Sequence, residues 1–256
     1  MQKAACAFTL ALCLGFTGLA LAQPAATSVQ VNDEKLATTF RETRASAERG
    51  EAFAQAKLGQ MYEEGSGVVR DDAQAVHWYR KAAEQGYAVA QNNLGVMHKE
   101  GQGVAQDVAQ AIDWYRKAAA QGNADAQNNL GEMYADGRGV ALDYAKAIAL
   151  YRKAADQGLA DAQYNLGAMY SDGEGVAQDD VQAVAWFRKA AEQGDADAQS
   201  NPGEMYVWGK GVAQDDAQGV DWYRKAAEQG NADAQSNLGK MYAVGRGVAQ
   251  DDVQAV

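Results

Sequence analysis

The sequence predicts an all-α solenoid, a stack of antiparallel helix pairs that repeats every 36 residues. Three observations favour this fold. Glycine falls into four series with this period, which begin at Gly50, Gly59, Gly65 and Gly67. The chain of 256 residues has 2 prolines, where average usage would give roughly 13, so long helices are permitted almost everywhere. Methionine follows the same period as glycine. After Met1 it occurs at Met61, Met97, Met133, Met169, Met205 and Met241.

Residues 1–22 have the features of a secretory signal peptide. Lys3 gives a short positive start, residues 4–21 carry no charge and are mostly apolar, and Ala20-Leu21-Ala22 is a small-residue cleavage pattern. A membrane anchor is the alternative, but the run is short for a span and is diluted by alanine and glycine. Both cysteines of the chain lie in this segment. We therefore expect an exported protein, periplasmic or secreted, whose mature form is held by packing without disulfides.

The segment before the repeats is predicted to end in a cap. Residues 23–32 are predicted to be a linker, and residues 33–50 a degenerate capping helix. There Glu42 and Thr43 stand where Trp and Tyr recur, which gives the polar face that a terminal unit needs. The repeats occupy residues 51–256, as five full copies and a truncated sixth. Because the chain stops in mid-helix, we expect a sequence fragment or a solenoid that needs a partner at that end, and favour the fragment.

Each repeat is predicted to form two helices joined by glycine turns. In the second copy the first helix covers residues 88–100, with Leu94 and Met97 on its apolar stripe. The Gly-x-Gly-Val link that follows supplies the positive φ of a helix end and a tight reversal. The second helix begins at an Asp with Gln three residues later, as at Asp71 and Gln74, which is typical of a reciprocal capping box. Stacking then covers the apolar face that one pair leaves bare.

A glycine also recurs in the middle of every first helix, where it costs about 1 kcal/mol relative to alanine. Some local contact must therefore require the missing side chain. We expect each glycine to let its helix lie close against an aromatic ring of the partner helix, such as Trp78 or Tyr79. The series consists of Gly59, Gly95, Gly131, Gly167, Gly203 and Gly239.

The fixed residues of the repeat form a long and specific string. It runs Ala-x-Ala-Gln-x-Asn-Leu-Gly-x-Met-Tyr, then Gly-x-Gly-Val, then Trp-Tyr-Arg-Lys-Ala-Ala-Glu-Gln-Gly. This string resembles the Sel-one-like repeat, a relative of the tetratricopeptide repeat, over residues 51–256. The resemblance implies a right-handed superhelix whose concave face binds protein or peptide. It also implies an exported bacterial member, similar to adaptors in envelope signalling, polysaccharide export and host contact.

The charge and the titratable residues argue against several classes of function. The net charge of 23 − 34 = −11 disfavours nucleic acid or an anionic membrane surface as partner, since both attract basic proteins. His77 and His98 are the only histidines, and they fall in different phases of the repeat. They are expected to be a solvent-facing residue and a half-buried substitute for tyrosine, respectively. We expect no enzyme activity, no metal and no cofactor, because no catalytic or ligand spacing accompanies these residues.

A row of asparagines is the best candidate for a binding surface. One asparagine precedes the leucine phase of each first helix, the helix that in the family lines the concave face. Amides could hold an extended peptide backbone by donating and accepting hydrogen bonds, or they could join adjacent repeats to each other. Trp208, where other copies have mostly acidic residues, is a candidate hot spot, or it covers a gap left by Pro202, which replaces the recurrent leucine. The candidate residues are Asn93, Asn129, Asn165, Asn201, Asn237 and Trp208.

These observations favour a non-enzymatic scaffold that recruits a protein or peptide in the bacterial envelope or outside the cell. One alternative is a secreted hydrolase, because cysteine-rich relatives of the family resemble β-lactamases. Those relatives pair two cysteines per repeat, whereas the repeats here have none. The other is a cell-wall or polysaccharide binder, which would require Trp78, Trp208 and other rings to be exposed. No membrane span is expected after signal cleavage, and the sequence leaves the oligomeric state open.

Overall fold

The computed structural model describes residues 25–194 and 196–255, so the predicted signal peptide lies outside the described residues. Within these residues the chain forms twelve α-helices and no strand. The helices are α1 Ala25–Glu48, α2 Ala52–Glu64, α3 Asp72–Glu84, α4 Ala88–Glu100, α5 Val108–Ala120, α6 Ala124–Asp136, α7 Tyr144–Asp156, α8 Ala160–Asp172, α9 Asp180–Ala191, α10 Ala196–Trp208, α11 Asp216–Glu228 and α12 Ala232–Val244.

The helices stack in chain order, so the fold is extended along one direction. Each helix packs mainly on the helix before it and the helix after it, and the tightest pairs are those within one repeat, such as α2 with α3. Tyr79, Leu94 and Met97 are fully buried in the core that α3 and α4 share. The prediction of an all-α solenoid of antiparallel helix pairs is therefore confirmed.

Helix α1 is longer than the predicted cap. It begins at Ala25 rather than near residue 33, so most of the predicted linker, residues 23–32, is helical. The physical reason is that no glycine or proline interrupts the sequence between Ala25 and Glu48. The C-terminal part of α1 packs on α2, and Ala47 is buried there.

The second helix of each repeat begins at a capping aspartate. Asp71 Oδ1 accepts a hydrogen bond from the backbone N–H of Gln74 at 3.0 Å, and the same bond recurs at Asp107, Asp179 and Asp215. Asp143 caps α7 in the same way although Lys146 replaces the glutamine. The sequence predicted a reciprocal capping box, but it is not formed where the glutamine side chain makes a hydrogen bond of its own. At Asp107 its amide donates to the carboxylate at 3.0 Å.

Five of the six mid-helix glycines contact aromatic rings, as predicted, and the exception is Gly239, whose neighbours are backbone atoms of Ala255. A β-carbon on Gly59 would lie 2.7 Å from Cδ1 of Tyr79, so only glycine allows α2 to approach α3 this closely. The glycine turns make a second close contact. A β-carbon on Gly103 would lie 2.2 Å from the carbonyl oxygen of Asp72, at the start of the preceding repeat's second helix. Glycine therefore governs packing both within and between repeats.

Paired glutamines, one buried and one exposed in each pair, form a spine along the stack that was not predicted from the sequence. Gln91 on α4 donates from Nε2 to the carbonyl oxygen of Ala83 on α3 at 3.0 Å, and its Oε1 accepts from Gln121 at the end of α5 at 2.7 Å. One glutamine side chain thus joins three consecutive helices. The pairing repeats along the stack as Gln55–Gln85, Gln91–Gln121, Gln127–Gln157, Gln163–Gln193 and Gln199–Gln229.

Candidate functional site

The structure brings three of the five predicted asparagines together in one groove. Asn165, Asn201 and Asn237, from α8, α10 and α12, line an open cavity of about 740 Å³. We call this cavity the amide groove. Its other lining residues are Glu132, Ala160, Asp161, Tyr164, Ser200, Glu204, Asn231, Asp233, Ser236 and Lys240.

In the preceding repeats the asparagines of the row are hydrogen-bonded to asparagines of the neighbouring repeat. Asn129 Nδ2 donates to Asn92 Oδ1 at 2.9 Å, and Asn165 Nδ2 donates to Asn128 Oδ1 at 3.0 Å. These are hydrogen bonds between adjacent repeats, which was the alternative to a binding role. Asn93 accepts from Asn92 at 3.4 Å. In this part of the chain each amide is engaged by the protein itself.

The groove opens where the partner asparagine is replaced. The residue that precedes each row asparagine is Asn in two repeats, at Asn92 and Asn128, and then becomes Tyr164, Ser200 and Ser236. All three replacements line the amide groove. Serine is shorter than asparagine, so Asn237 has no asparagine partner of the kind seen at Asn92. Its Oδ1 instead accepts from Nζ of Lys240 at 3.2 Å.

The amide groove is acidic. Four carboxylates line it, at Glu132, Asp161, Glu204 and Asp233, against one ammonium, at Lys240. Glu132 is half-buried and accepts from Asn128 Nδ2 at 2.9 Å. Burial raises the pKa of this carboxyl group above its ordinary value, because ionisation is less favourable away from water. Glu204 is paired with Lys210 at 3.3 Å, so the net negative charge of the groove comes from Glu132 on α6 and from Asp161 and Asp233 on the first turns of α8 and α12.

Trp208 lies beside a second, smaller cavity of about 330 Å³. We call it the Trp208 pocket; it is lined by Val207, Trp208, Tyr223, Met241, Val244 and Arg246, and it shares Glu204, Asn237 and Lys240 with the amide groove. Trp208 is 62% exposed and Val244, one repeat later in the same phase, is 70% exposed. Trp208 was predicted from the sequence and Val244 was not, although an apolar residue in the next copy of that phase was the available signal.

An arginine fixes the position of the Trp208 ring. Arg246 Cζ lies 5.2 Å from the ring centre, within the range of a cation–π contact. Its Nε donates to Asp216 Oδ2 at 2.8 Å, and its Nη2 donates to the carbonyl oxygen of Val207 at 2.6 Å. The guanidinium charge is thus balanced by Asp216. The ring is held in place while most of its surface stays open to solvent.

The other tryptophans are packed into the scaffold. Trp78 and Trp186 are buried, and the ammonium groups of Lys81 and Lys189 lie 4.6 Å and 3.8 Å from the centres of the two rings. Trp78 and Trp186 therefore offer little ring surface to a polysaccharide, while Trp114 and Trp222 are half-buried. Trp208 differs from them in its exposure.

The two histidines lie apart from the groove. His77 is exposed, as predicted, and its ring meets Trp78 edge to face at 5.2 Å. His98 was predicted to be half-buried, but it is only 2% exposed. Among the described residues neither ring nitrogen of His98 has a hydrogen-bond partner. Burial, with a smaller effect from Arg80, lowers the pKa of His98.

The described residues contain neither a metal-binding cluster nor a membrane-spanning helix. No group of three or more His, Cys, Asp or Glu side chains is placed to hold a metal ion there. In the same part of the chain no helix combines the length and the apolar character that a membrane crossing requires.

Comparisons with solved structures agree with the fold. A protective antigen of uropathogenic Escherichia coli strains that displays an SLR fold is 44% identical, with a TM-score of 0.79, over 84% of this chain and 46% of that one. The chain therefore spans less than half of that protein. A Sel1 repeat protein from Oxalobacter formigenes is 40% identical, with a TM-score of 0.76, over 80% of this chain and 84% of that one.

A more distant structure shares the fold alone. The immunity protein Pa5087 from Pseudomonas aeruginosa is 22% identical, with a TM-score of 0.51, over 80% of this chain and 78% of that one. No curated protein sequence shows significant similarity to the chain.

A family model assigns the repeats directly. The Sel1 repeat model matches six consecutive segments, at residues 52–87, 88–123, 124–159, 160–195, 196–231 and 232–256. Proteins built from this repeat are typically scaffolds for protein interaction. With its period, its helix pairs and its glycine contacts, the chain belongs to the Sel1 repeat family.

Proposed function

We propose that this protein is a non-enzymatic scaffold that binds a polypeptide segment in the amide groove, on the concave face of the solenoid. The observation that carries the proposal is the opening of the asparagine row. Asn201 and Asn237 line the cavity where Tyr164 and Ser200 stand in place of a pairing asparagine, and Asn165, which still pairs with Asn128, lines it beside them. Amide and hydroxyl groups along a groove can bond to a peptide backbone without regard to its side chains.

The proposal is tested by site-specific photo-crosslinking. A photoreactive residue is introduced in place of Ser236, which is exposed and lines the groove. The matched control carries the same residue at Val181, which is exposed on α9 outside the groove. We expect adducts with a polypeptide partner from position 236 and not from position 181. Equal labelling from both positions, or labelling from position 181 alone, would contradict binding in the groove.

We further propose that the scaffold acts in the bacterial envelope or outside the cell. The support is the signal-peptide pattern of residues 1–22. The test is expression of the full chain in a bacterium, followed by fractionation and N-terminal sequencing of the product. We expect a mature protein that begins at Gln23 in the periplasm or the medium. An uncleaved product in the cytoplasm would refute this location.

A further inference from the structure

We infer that the partner segment is an extended peptide with basic residues at one end and a bulky apolar side chain at the other, the apolar side chain entering the Trp208 pocket. This inference rests on the proposed function and names the chemistry of the ligand. It follows from three properties of the surface, which are its charge at one end, its amides in the middle and its apolar pocket at the other end.

The first property is the unbalanced negative charge. Asp161 and Asp233 are exposed on the first turns of α8 and α12, and Glu132 faces the same cavity from α6. Toward the other end Lys210 and Lys240 offset Glu204. A lysine or arginine side chain of a ligand would therefore be favoured near Asp161 and Asp233, at the first turns of α8 and α12, where negative charge is concentrated.

The second property is the row of hydrogen-bonding groups between the two ends. Ser200 and Ser236 present hydroxyl groups beside Asn201 and Asn237 in the same cavity. Hydroxyl and amide groups both donate and accept, so they match the N–H and C=O groups of an extended chain. The middle of the groove thus favours a peptide backbone over a folded surface.

The third property is the Trp208 pocket, which is continuous with the groove. Tyr223 and Met241 are buried residues that line it, and Trp208 and Val244 are its exposed apolar members. Asp216 already pairs with Arg246, so the pocket does not favour an acidic group of the ligand. A leucine or aromatic side chain would bury apolar surface on all of these residues.

Binding of labelled peptides tests the inference. Fluorescence anisotropy would compare three fluorescein-labelled peptides with a Gly/Ser backbone. The first carries lysines in one half and a leucine in the other, the second has serine in place of the leucine, and the third has glutamate in place of the lysines. Each is made in both orders, because the direction of the bound chain is not specified. We expect the first peptide, in one order, to bind about tenfold or more tighter than the second, from burial of one leucine, and tighter than the third, from the charge of the groove.

Two variants separate the apolar and the charged contributions. Trp208→Gln is expected to abolish the preference for leucine over serine and to keep the preference for lysine over glutamate. The double variant Asp161→Asn with Asp233→Asn is expected to do the reverse. Val181→Gln, an exposed apolar residue outside both cavities, is the control and should change neither preference.

Several results would overturn the inference. They are equal binding of all three peptides, tightest binding of the glutamate peptide, no binding of any of them, or a leucine preference that persists in Trp208→Gln. In each case crosslinking of a polypeptide from position 236 would still support the scaffold function. Loss of that crosslink together with peptide binding would refute both proposals.

Discussion

Gly131 lies against the ring of Tyr151 so closely that a β-carbon on Gly131 would be 2.7 Å from Tyr151 Cε1. Real β-carbons do not approach other atoms to this distance. In the next repeat Gly167 meets Phe187 at 2.8 Å in the same way, so the requirement is for the ring and not for the tyrosine hydroxyl. The glycine that is unfavourable for an isolated helix is therefore necessary for the helix pair.

This contact reverses the usual effect of Gly→Ala in a helix. Propensity alone favours alanine by about 1 kcal/mol, but the methyl group of Gly131→Ala would displace a buried ring. We expect the free energy of unfolding to fall by about 1–3 kcal/mol, measured by urea denaturation. Gly239→Ala is the control, because the nearest atoms to its β-carbon belong to the Ala255 backbone at 3.3 Å or more. An unchanged or higher stability of Gly131→Ala would contradict the contact.

The glutamine spine should contribute to stability through satisfied buried groups. Gln127 Nε2 donates to the Ala119 carbonyl at 3.3 Å, and its Oε1 accepts from Gln157 at 2.9 Å. Gln127→Ala removes both hydrogen bonds, each worth about 0.5–1.5 kcal/mol, so we expect a loss of about 1–3 kcal/mol by thermal or urea unfolding. Gln110→Ala, an exposed glutamine on α5, should cost less than about 1 kcal/mol. Similar losses for both variants would count against a role for the spine.

Pro202 weakens the repeat in which it occurs. It is buried inside α10, at the phase occupied by the buried Leu166 in α8. Proline there lacks the N–H for a helical hydrogen bond, at a cost of about 3 kcal/mol. We expect Pro202→Leu to raise the melting temperature and Leu166→Pro, the matched reverse change, to lower it. A melting temperature of Pro202→Leu at or below that of the wild type would show that the site has adapted to proline.

His98 should make stability depend on pH. Its folded pKa lies below the ordinary value of 6.5, so the unfolded chain binds a proton more readily than the folded chain. The contribution of neutral His98 to the free energy of unfolding is fully present above about pH 6.5. It is lost as the pH falls from there through the pKa of His98 in the folded protein.

The replacement His98→Tyr isolates this effect. Tyrosine is the recurrent residue of this phase, and at Tyr134 its hydroxyl meets Arg116 at 3.5 Å. We expect His98→Tyr to lose less stability than the wild type between about pH 7.5 and about pH 5.5, measured by urea unfolding at each pH. Equal pH dependence of the two proteins would show that His98 does not titrate in this range.

Much of the fold could be predicted because its signals are local and are repeated. The period of methionine and glycine indicates the stacking, and the aspartates mark the starts of the second helices. The glycine–ring contact was also predictable, since glycine in a helix interior needs an explanation from packing. The glutamine spine was not predicted. Gln91 and Gln121 are both visible in the repeat, but one lies on α4 and the other at the end of α5, and their contact depends on how the helices pack.

The sequence by itself determined the repeat unit, its helix ends and the absence of cysteine from the repeats, because these follow from residue type and spacing along the chain. Only the tertiary structure decided which asparagines pair and which line a groove, since that depends on the residue presented by the adjacent repeat. It likewise joined Trp208, Val244 and Arg246, which are separated by up to 38 residues in the sequence and meet only because consecutive repeats stack side by side.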